Sequence, residues 1–396
     1  MSPAGCRIRA VGAVCVAGLG VEALWRGLCK DVSVVDDSAR SLLTVAVPES
    51  VWVELARQHP VWRRLPRVTQ LAALAVAESV RVRVPTLVGA PEVSPVTPSD
   101  DTGVVLGSCY ANLGPIFAFC DNCAEVGPAA VSPMLFPDTV LNAPAGHIAI
   151  LFGCRGPTAT VTGLLSGSLA IVQAAEWIGL GHATRLIVCG AETLPPQILE
   201  NALRADISSP DKTTWDIWSQ ADTGYALGEG AGALLLEPHD AKSEAWALLR
   251  AAAYVNGSAP GAVRTAIGAA LDQAGCTTLE VGGLVLSVGG ISDIDQTIVT
   301  SVNEVFGSRG HPIPWCSIKP TLGETFGGHG ALALIAAGCA ARAGRLPAAV
   351  GLRRTSPPDE RTGHVSGRAQ SLDAPMVLSV DADSSGACAL LVAAET

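Results

Sequence analysis

The sequence is short of aromatic residues, charge and long apolar runs. Aromatics make up 4% and charged residues 16% of its 396 residues. No uninterrupted apolar stretch approaches the ~18 residues of a membrane-spanning helix, so no membrane association is predicted. Basic residues total 26 against 36 acidic ones, a formal net charge of −10. No basic block exceeds the pairs Arg63–Arg64 and Arg353–Arg354, which argues against a nucleic-acid partner. A small basic patch for an acidic carrier remains compatible with this balance. The start, Met1 to Arg9, lacks the basic region, apolar stretch and cleavage site of a secretory leader. The 12 cysteines are scattered through apolar segments rather than set in a compact framework. They read as reduced thiols of a cytoplasmic protein. Cys120 and Cys123 form a C-x-x-C without a second pair at zinc-finger spacing, so they read as buried or interface thiols and no metal site is predicted.

What is abundant is small and apolar: apolar residues make up 49% of the chain, and there are 42 glycines. Strand and helix patterns alternate in two series. The first has strands at Ile8–Val16, Val104–Leu106, Ala159–Val161, Arg185–Gly190 and Gly232–Glu237, with helices at Val68–Val80, from Ala145, and at Leu165–Leu180. The second has strands at Trp246–Val255, Gly283–Val288, Pro314–Lys319, Pro375–Val380 and Ala387–Ala393, with helices at Gly261–Ala274, Ile294–Phe306 and Gly328–Ala341. Both series end in an antiparallel strand, and each has one strongly apolar helix, after residues 163 and 327. This predicts an α/β protein of two fused halves, 1–240 and 241–396. Residues 353–368 read as an exposed loop.

The segment Gly156 to Leu169 reads as a nucleophile turn entering a buried helix. A thiol there would gain from the helix N-terminus and nearby N–H groups. Leu164 and Leu165 occupy the apex instead. Ser166 is adjacent and reads first as a helix-start residue; as a nucleophile it would need a base. A second candidate is Ser287 to Asp293, a glycine-rich turn after a buried strand, where Asp293 reads as a helix cap. A third is Lys319 to His329. Lys319 and Glu324 can pair with each other, and His329 is a possible base at the start of an apolar helix. The run Gly228 to Gly232 leads into a strand, so it is no dinucleotide fingerprint. Glu229 there is expected to fix nearby backbone N–H groups.

Several segments in order resemble the β-ketoacyl synthases of fatty-acid and polyketide assembly. They are Phe136–Ile150, Gly156–Val161, Val188–Glu192, Ala221–Gly232 and Ile318–Pro320. The resemblance covers almost the whole chain. It implies a thiolase fold: two pseudo-repeated αβαβα-type halves with central mixed sheets. It also implies a cysteine that takes an acyl chain from a carrier protein, and two histidines that assist decarboxylation of a malonyl unit. The matching positions here are Leu164, Val288 and Glu324. The family lysine remains as Lys319. Asp381–Gly386 stands where the family has a gating turn rich in glycine and phenylalanine.

With all three catalytic positions changed, the chain is most similar to a chain length factor, the non-condensing ketosynthase β subunit. The resemblance then implies an active ketosynthase partner and an acyl carrier protein that brings its own phosphopantetheine, with no cofactor bound by this chain. The interface would use Ala159–Val161 and residues around 109–123 and 134–142. Phe117, Phe119, Met134, Leu135 and Phe136 are candidates for the tunnel end, burial in the core being the other reading. Two further readings stay open: an acyltransferase or esterase using Ser166 or His329, and a non-enzymatic homodimer that binds an acyl group or a carrier.

Overall fold

Segments apolar on both faces form the central strands. In a computed structural model, residues 5–30, 44–58, 62–80, 101–205, 226–240, 244–289, 292–310, 312–348 and 369–395 are described. Ten strands carry the architecture. The first half supplies β1 (Cys6–Cys15), β2 (Thr102–Ser108), β3 (Thr158–Thr162), β4 (Arg185–Glu192) and β5 (Gly230–Pro238). The second supplies β6 (Ala247–Asn256), β7 (Val281–Leu286), β8 (Trp315–Cys316), β9 (Met376–Ala382) and β10 (Gly386–Ala394).

The spatial order is β1-β5-β4-β2-β3 in the first set and β6-β10-β9-β7-β8 in the second. The two orders are the same when each set is numbered from its own first strand. In each, the third, fourth and fifth strands in this order run parallel, and the second runs antiparallel to both neighbours. β1 joins the sets by pairing antiparallel with β6, Cys6 opposite Leu249 and Ile8 opposite Ala247.

Alternation along the strands separates three apolar layers. In β4, Leu186 and Val188 face the space between the sets, while Ile187 and Cys189 face outward. In β10, Cys388, Leu390 and Val392 face that same inner space, while Ala389 and Leu391 face the outer layer of the second half. Helix α1 (Arg67–Val80) packs on the outer face of β1, β5 and β4. Along the first half also lie α2 (Leu113–Val126) and α3 (Ala143–Phe152). Two helices fill the middle layer: α4 (Ser166–Gly179) and, near the C-terminus, α7 (His329–Ala343). Between them in sequence, α5 (Ala259–Ala274) and α6 (Ser292–Phe306) pack on the outer side of the second half.

An α-helix that is apolar all round suits such a layer, and α7 has buried residues on every side. The two middle helices meet backbone to backbone. A Cβ on Gly330 would lie 2.2 Å from the Ser168 amide nitrogen, and one on Gly167 would lie 2.3 Å from the Gly327 carbonyl oxygen. Gly330→Val is therefore expected to cost about 3 kcal/mol or more, as overpacking against unyielding backbone does, measured by denaturant unfolding.

The thiolase-like α/β architecture read from the sequence is present. One strand is shorter than its apolar pattern predicts. Pro314–Lys319 gives only Trp315–Cys316, because Lys319 opens a four-residue helix, Lys319–Leu322, with Pro320 in its first turn. Proline's fixed φ favours that position. The expected loop at 353–368 and the start of the glycine-rich motif, residues 221–225, lie outside the described residues.

Candidate functional site

Segments distant in sequence converge on a cavity of about 80 Å³ at the ends of the two middle helices. Leu164 and Leu165 come from the turn before α4, where Gly163 has φ +119°, a conformation suited to glycine. Ser287 and Gly289 follow β7. Ile294 and Asp295 lie in the first turn of α6. Lys319, Glu324 and Phe326 precede α7, His329 opens it, and Asp381 and Ala382 end β9 with Asp383 in the turn that follows.

Leu164, Lys319, Glu324 and His329 are thus brought together. Leu164 is 48% exposed in this single chain. Val288 is buried and does not line the cavity; its carbonyl accepts from Ser317 Oγ at 2.5 Å. Ser166 is also buried and outside the lining, with no partner for its Oγ. Met134, Leu135 and Phe136 are exposed, while Phe117 and Phe119 are half-buried. Phe119 packs edge-on against Phe136 at 6.0 Å. None of these five lines the cavity. Burial in this chain's own core, the other reading for Met134, Leu135 and Phe136, does not hold. Cys120 is exposed on α2 and Cys123 is half-buried there, so of the two readings burial is corrected and the interface reading stays open. Glu229 accepts from the Val47 amide at 2.9 Å, as its expected role requires, and also from Arg67 at 2.6 and 2.9 Å.

The electrostatics centre on one ion pair. Lys319 Nζ lies 2.6 Å from Glu324 Oε2, and both side chains are nearly buried. Burial alone would favour their neutral forms. For Glu324, burial pushes the carboxyl up, but the Lys319 charge, the His329 imidazole, the hydrogen bond from Lys319 and the Phe326 amide together hold it below its ordinary range. For Lys319, burial is opposed by Glu324 and Asp381, and the ammonium is raised above its ordinary value. Gly289 makes room for the lysine stem, since a Cβ there would sit 2.4 Å from Lys319 Cδ.

The other carboxylates are anchored. Asp295 accepts from the Gly289 amide at 3.0 and 3.1 Å. Asp381 accepts from Ser168 Oγ at 2.7 Å. Asp383 caps its own turn through Ser385 and Gly386. His329 is buried, and its Nδ1 has no hydrogen-bond partner. Burial, followed by the Lys319 charge, pushes its pKa below 6.5 against the opposing pull of Asp381 and Glu324. The sequence reading missed Asp295 and singled out only Asp293, as a helix cap; both are acids in the first turn of α6, and only the fold selects the inward one.

Behind the cavity, Glu192 ties two strained turns together. Its carboxylate accepts from the amides of Cys109 at 2.7 Å, Tyr110 at 3.2 Å and Gly327 at 3.4 Å. Ala111 and Phe326, next to these donors, hold φ of 40° and 39°. Burial raises the Glu192 carboxyl from 4.5 to about 7, while the amide bonds pull the other way. The folded state therefore holds this proton more tightly than the unfolded chain does. The associated stability is present below pH 4.5 and is lost as pH rises through about 7. At ~1.4 kcal/mol per unit, the contribution is about 3 kcal/mol. Glu192→Gln should remove that part of the pH dependence, checked by unfolding wild type and variant from acid to neutral pH.

Comparison with known proteins then decides the family. Residues 7–242 match the β-ketoacyl synthase N-terminal domain, and residues 250–353 match the β-ketoacyl synthase C-terminal domain. The chain belongs to the β-ketoacyl synthase family. A relative from Staphylococcus aureus named 3-oxoacyl-[acyl-carrier-protein] synthase 2 is 25% identical over 352 residues, covering 83% of this chain and 85% of that protein. A namesake from Vibrio harveyi is 32% identical over 145 residues, 35% of each chain. The match thus spans about a third of the Vibrio protein's length.

Among solved structures, the ishigamide ketosynthase/chain length factor superposes with a TM-score of 0.83 at 21% identity, covering both chains fully. A structure of a type II PKS acyl-carrier protein in complex with its ketosynthase bound to the hexaketide gives 0.80 at 17% identity, again over both full chains. These likenesses establish the shared fold. Among the described residues, no helix of this ketosynthase-family chain is long and apolar enough to cross a membrane.

Proposed function

We propose that this chain is a non-condensing partner of an active ketosynthase, akin to a chain length factor, and that it shapes the tunnel holding the growing acyl or polyketide chain. One observation carries the reading: Leu164, at the position where the resemblance calls for the acylated cysteine, lines one cavity with Lys319, Glu324 and His329. Leucine has no group that can form a thioester. The other two matching positions support the same reading. Val288 is buried away from the cavity, and Glu324 is committed to Lys319. The halves 1–240 and 241–396 would act as one scaffold, with phosphopantetheine arriving on a carrier protein.

Exposed apolar side chains support the partner reading. Of the 13 exposed large apolar side chains among the described residues, 8 lie between Val126 and Leu164. Clustered exposed apolar side chains of this kind mark association sites. The test is co-expression with a Cys-His-His ketosynthase. The expected result is a heterodimer by native mass spectrometry, and no acyl adduct on this chain after incubation with acyl-carrier protein. An acyl adduct on the isolated chain, or condensation by it, would overturn the reading and favour an ordinary condensing synthase. Within the heterodimer, alanine at the tunnel-end residue among Phe117, Phe119, Met134, Leu135 and Phe136 should lengthen the product, read by mass. Unchanged length across all five would remove that assignment.

A further inference from the structure

The partner role leaves one group in the cavity unused. His329 is 2% exposed, lines the cavity and has an unpartnered Nδ1. A tunnel-shaping wall needs no imidazole. A buried polar atom left without a hydrogen bond is a cost that a bound polar group can relieve. We propose that this cavity hydrolyses uncharged acyl thioesters, with His329 as the general base that activates water. This goes beyond the partner role and stands on different residues.

The surroundings suit that chemistry. Leu164 offers no nucleophile at the family position, Ser166 does not line the cavity, and Ser287, which does, is 2% exposed with its Oγ held by the Ala382 amide at 3.0 Å; water is then the nucleophile. About 80 Å³ admits a water and a thioester carbonyl together. His329 opens α7, and Leu165 caps the start of α4. The N-terminal ends of both helices therefore meet here, and the positive ends of their dipoles favour a developing oxyanion. Burial keeps the imidazole neutral and ready to accept a proton near neutral pH. The groups facing it are Lys319 and Glu324 before α7, Asp381 and Asp383 on the β9–β10 turn, and Asp295 on α6. Asp381, fixed by Ser168, steadies the imidazolium once formed.

The step balances without a further reagent. Water loses a proton to His329 as its oxygen bonds to the thioester carbonyl carbon. The tetrahedral species collapses, the C–S bond breaks, and the imidazolium proton passes to the departing thiolate. The products are a carboxylic acid and a free thiol. With four carboxylates and one ammonium around the cavity, an acyl group ending in a carboxylate is disfavoured, so malonyl thioesters are poor substrates.

The full chain, alone, would be mixed with butyryl-pantetheine or malonyl-pantetheine, and thiol release followed. Butyryl release should exceed buffer by at least ~10²-fold, the scale of general-base catalysis, with malonyl release much slower. Its rate should rise with pH and level off below ~6.5, the ordinary imidazole value. Product formed in ¹⁸O-water should carry one heavy oxygen. His329→Asn and His329→Gln should each lose about 10²-fold. Asp381→Asn should lower the plateau and move the midpoint to lower pH. Buffer-level release by wild type, a flat pH profile, or a folded His329 variant as fast as wild type would overturn the proposal. None of these outcomes touches the heterodimer test, so the two readings fail separately.

Discussion

Met134→Glu combined with Ile150→Glu is expected to abolish assembly with an active ketosynthase while leaving the chain folded. Met134 is 79% and Ile150 80% exposed, so neither contributes to this chain's core. Ile150 lies on α3, which packs on β3, and Met134 lies on the 3₁₀ segment that packs on α3; β3 is the last strand in the sheet order, and among the described residues it pairs with β2 alone. Such an edge carries unpaired backbone groups able to receive another chain. The 3₁₀ segment Pro133–Thr139 packs on α2 and α3, and α3 packs on β3, so the elements carrying these exposed side chains adjoin one another at this edge of the sheet. Thr160 Oγ1 on that strand is buried yet unpartnered. Loss of one buried apolar anchor at an interface costs ~2–4 kcal/mol. Two such losses weaken association roughly 10³-fold or more at ~1.4 kcal/mol per decade. Native mass spectrometry and sedimentation against dilution would show it, with unchanged thermal unfolding. Leu279→Glu, at a 62% exposed residue outside this face, is the control. A heterodimer that survives the double substitution would place the interface elsewhere.

The sequence made most of this scaffold legible, for a physical reason. Helix α7 is apolar all round, and β4 is apolar on both faces; such segments have few stable places except the middle of a layered α/β protein. Lys319 and Glu324 were readable as a pair because five residues with a short helix between them bring their side chains together. The cavity as a whole was not readable. Leu164, Gly289, Glu324 and Asp381 are distant in sequence and meet only through the strand order. Asp295 and Asp293 share one helical turn, and which one points inward depends on how α6 seats against the loop after β7. The two-residue β8 was hidden by a longer apolar run, since hydrophobicity does not mark where Pro320 turns the chain into a helix. Glu192 ends one of the segments that carry the family resemblance, and its link to both strained turns is a tertiary fact.

Lys319→Met should destabilise the chain by about 3–5 kcal/mol, the cost of leaving a buried partner charge uncompensated. Glu324 would then face Asp381 and Asp383 in the same cavity with its ion-pair partner gone. The double change Lys319→Met with Glu324→Leu should recover most of that loss, because apolar replacement of a whole buried pair is close to neutral. A cycle of unfolding free energies measures the coupling. Additive effects would show that the 2.6 Å contact contributes little. The pH signs follow from the two shifts. The lowered Glu324 carboxyl contributes stability above its ordinary 4.5 that is lost as pH falls through its folded value. The raised Lys319 ammonium contributes stability below 10.5 that is lost only above that value. Wild type should therefore lose a contribution at acid pH that Glu324→Gln lacks. The same pair bears on function. Placing histidine at position 324, as the family pattern would have it, removes the anion that neutralises Lys319. That substitution alone should lower stability without creating a condensing enzyme, because Leu164 still offers no nucleophile.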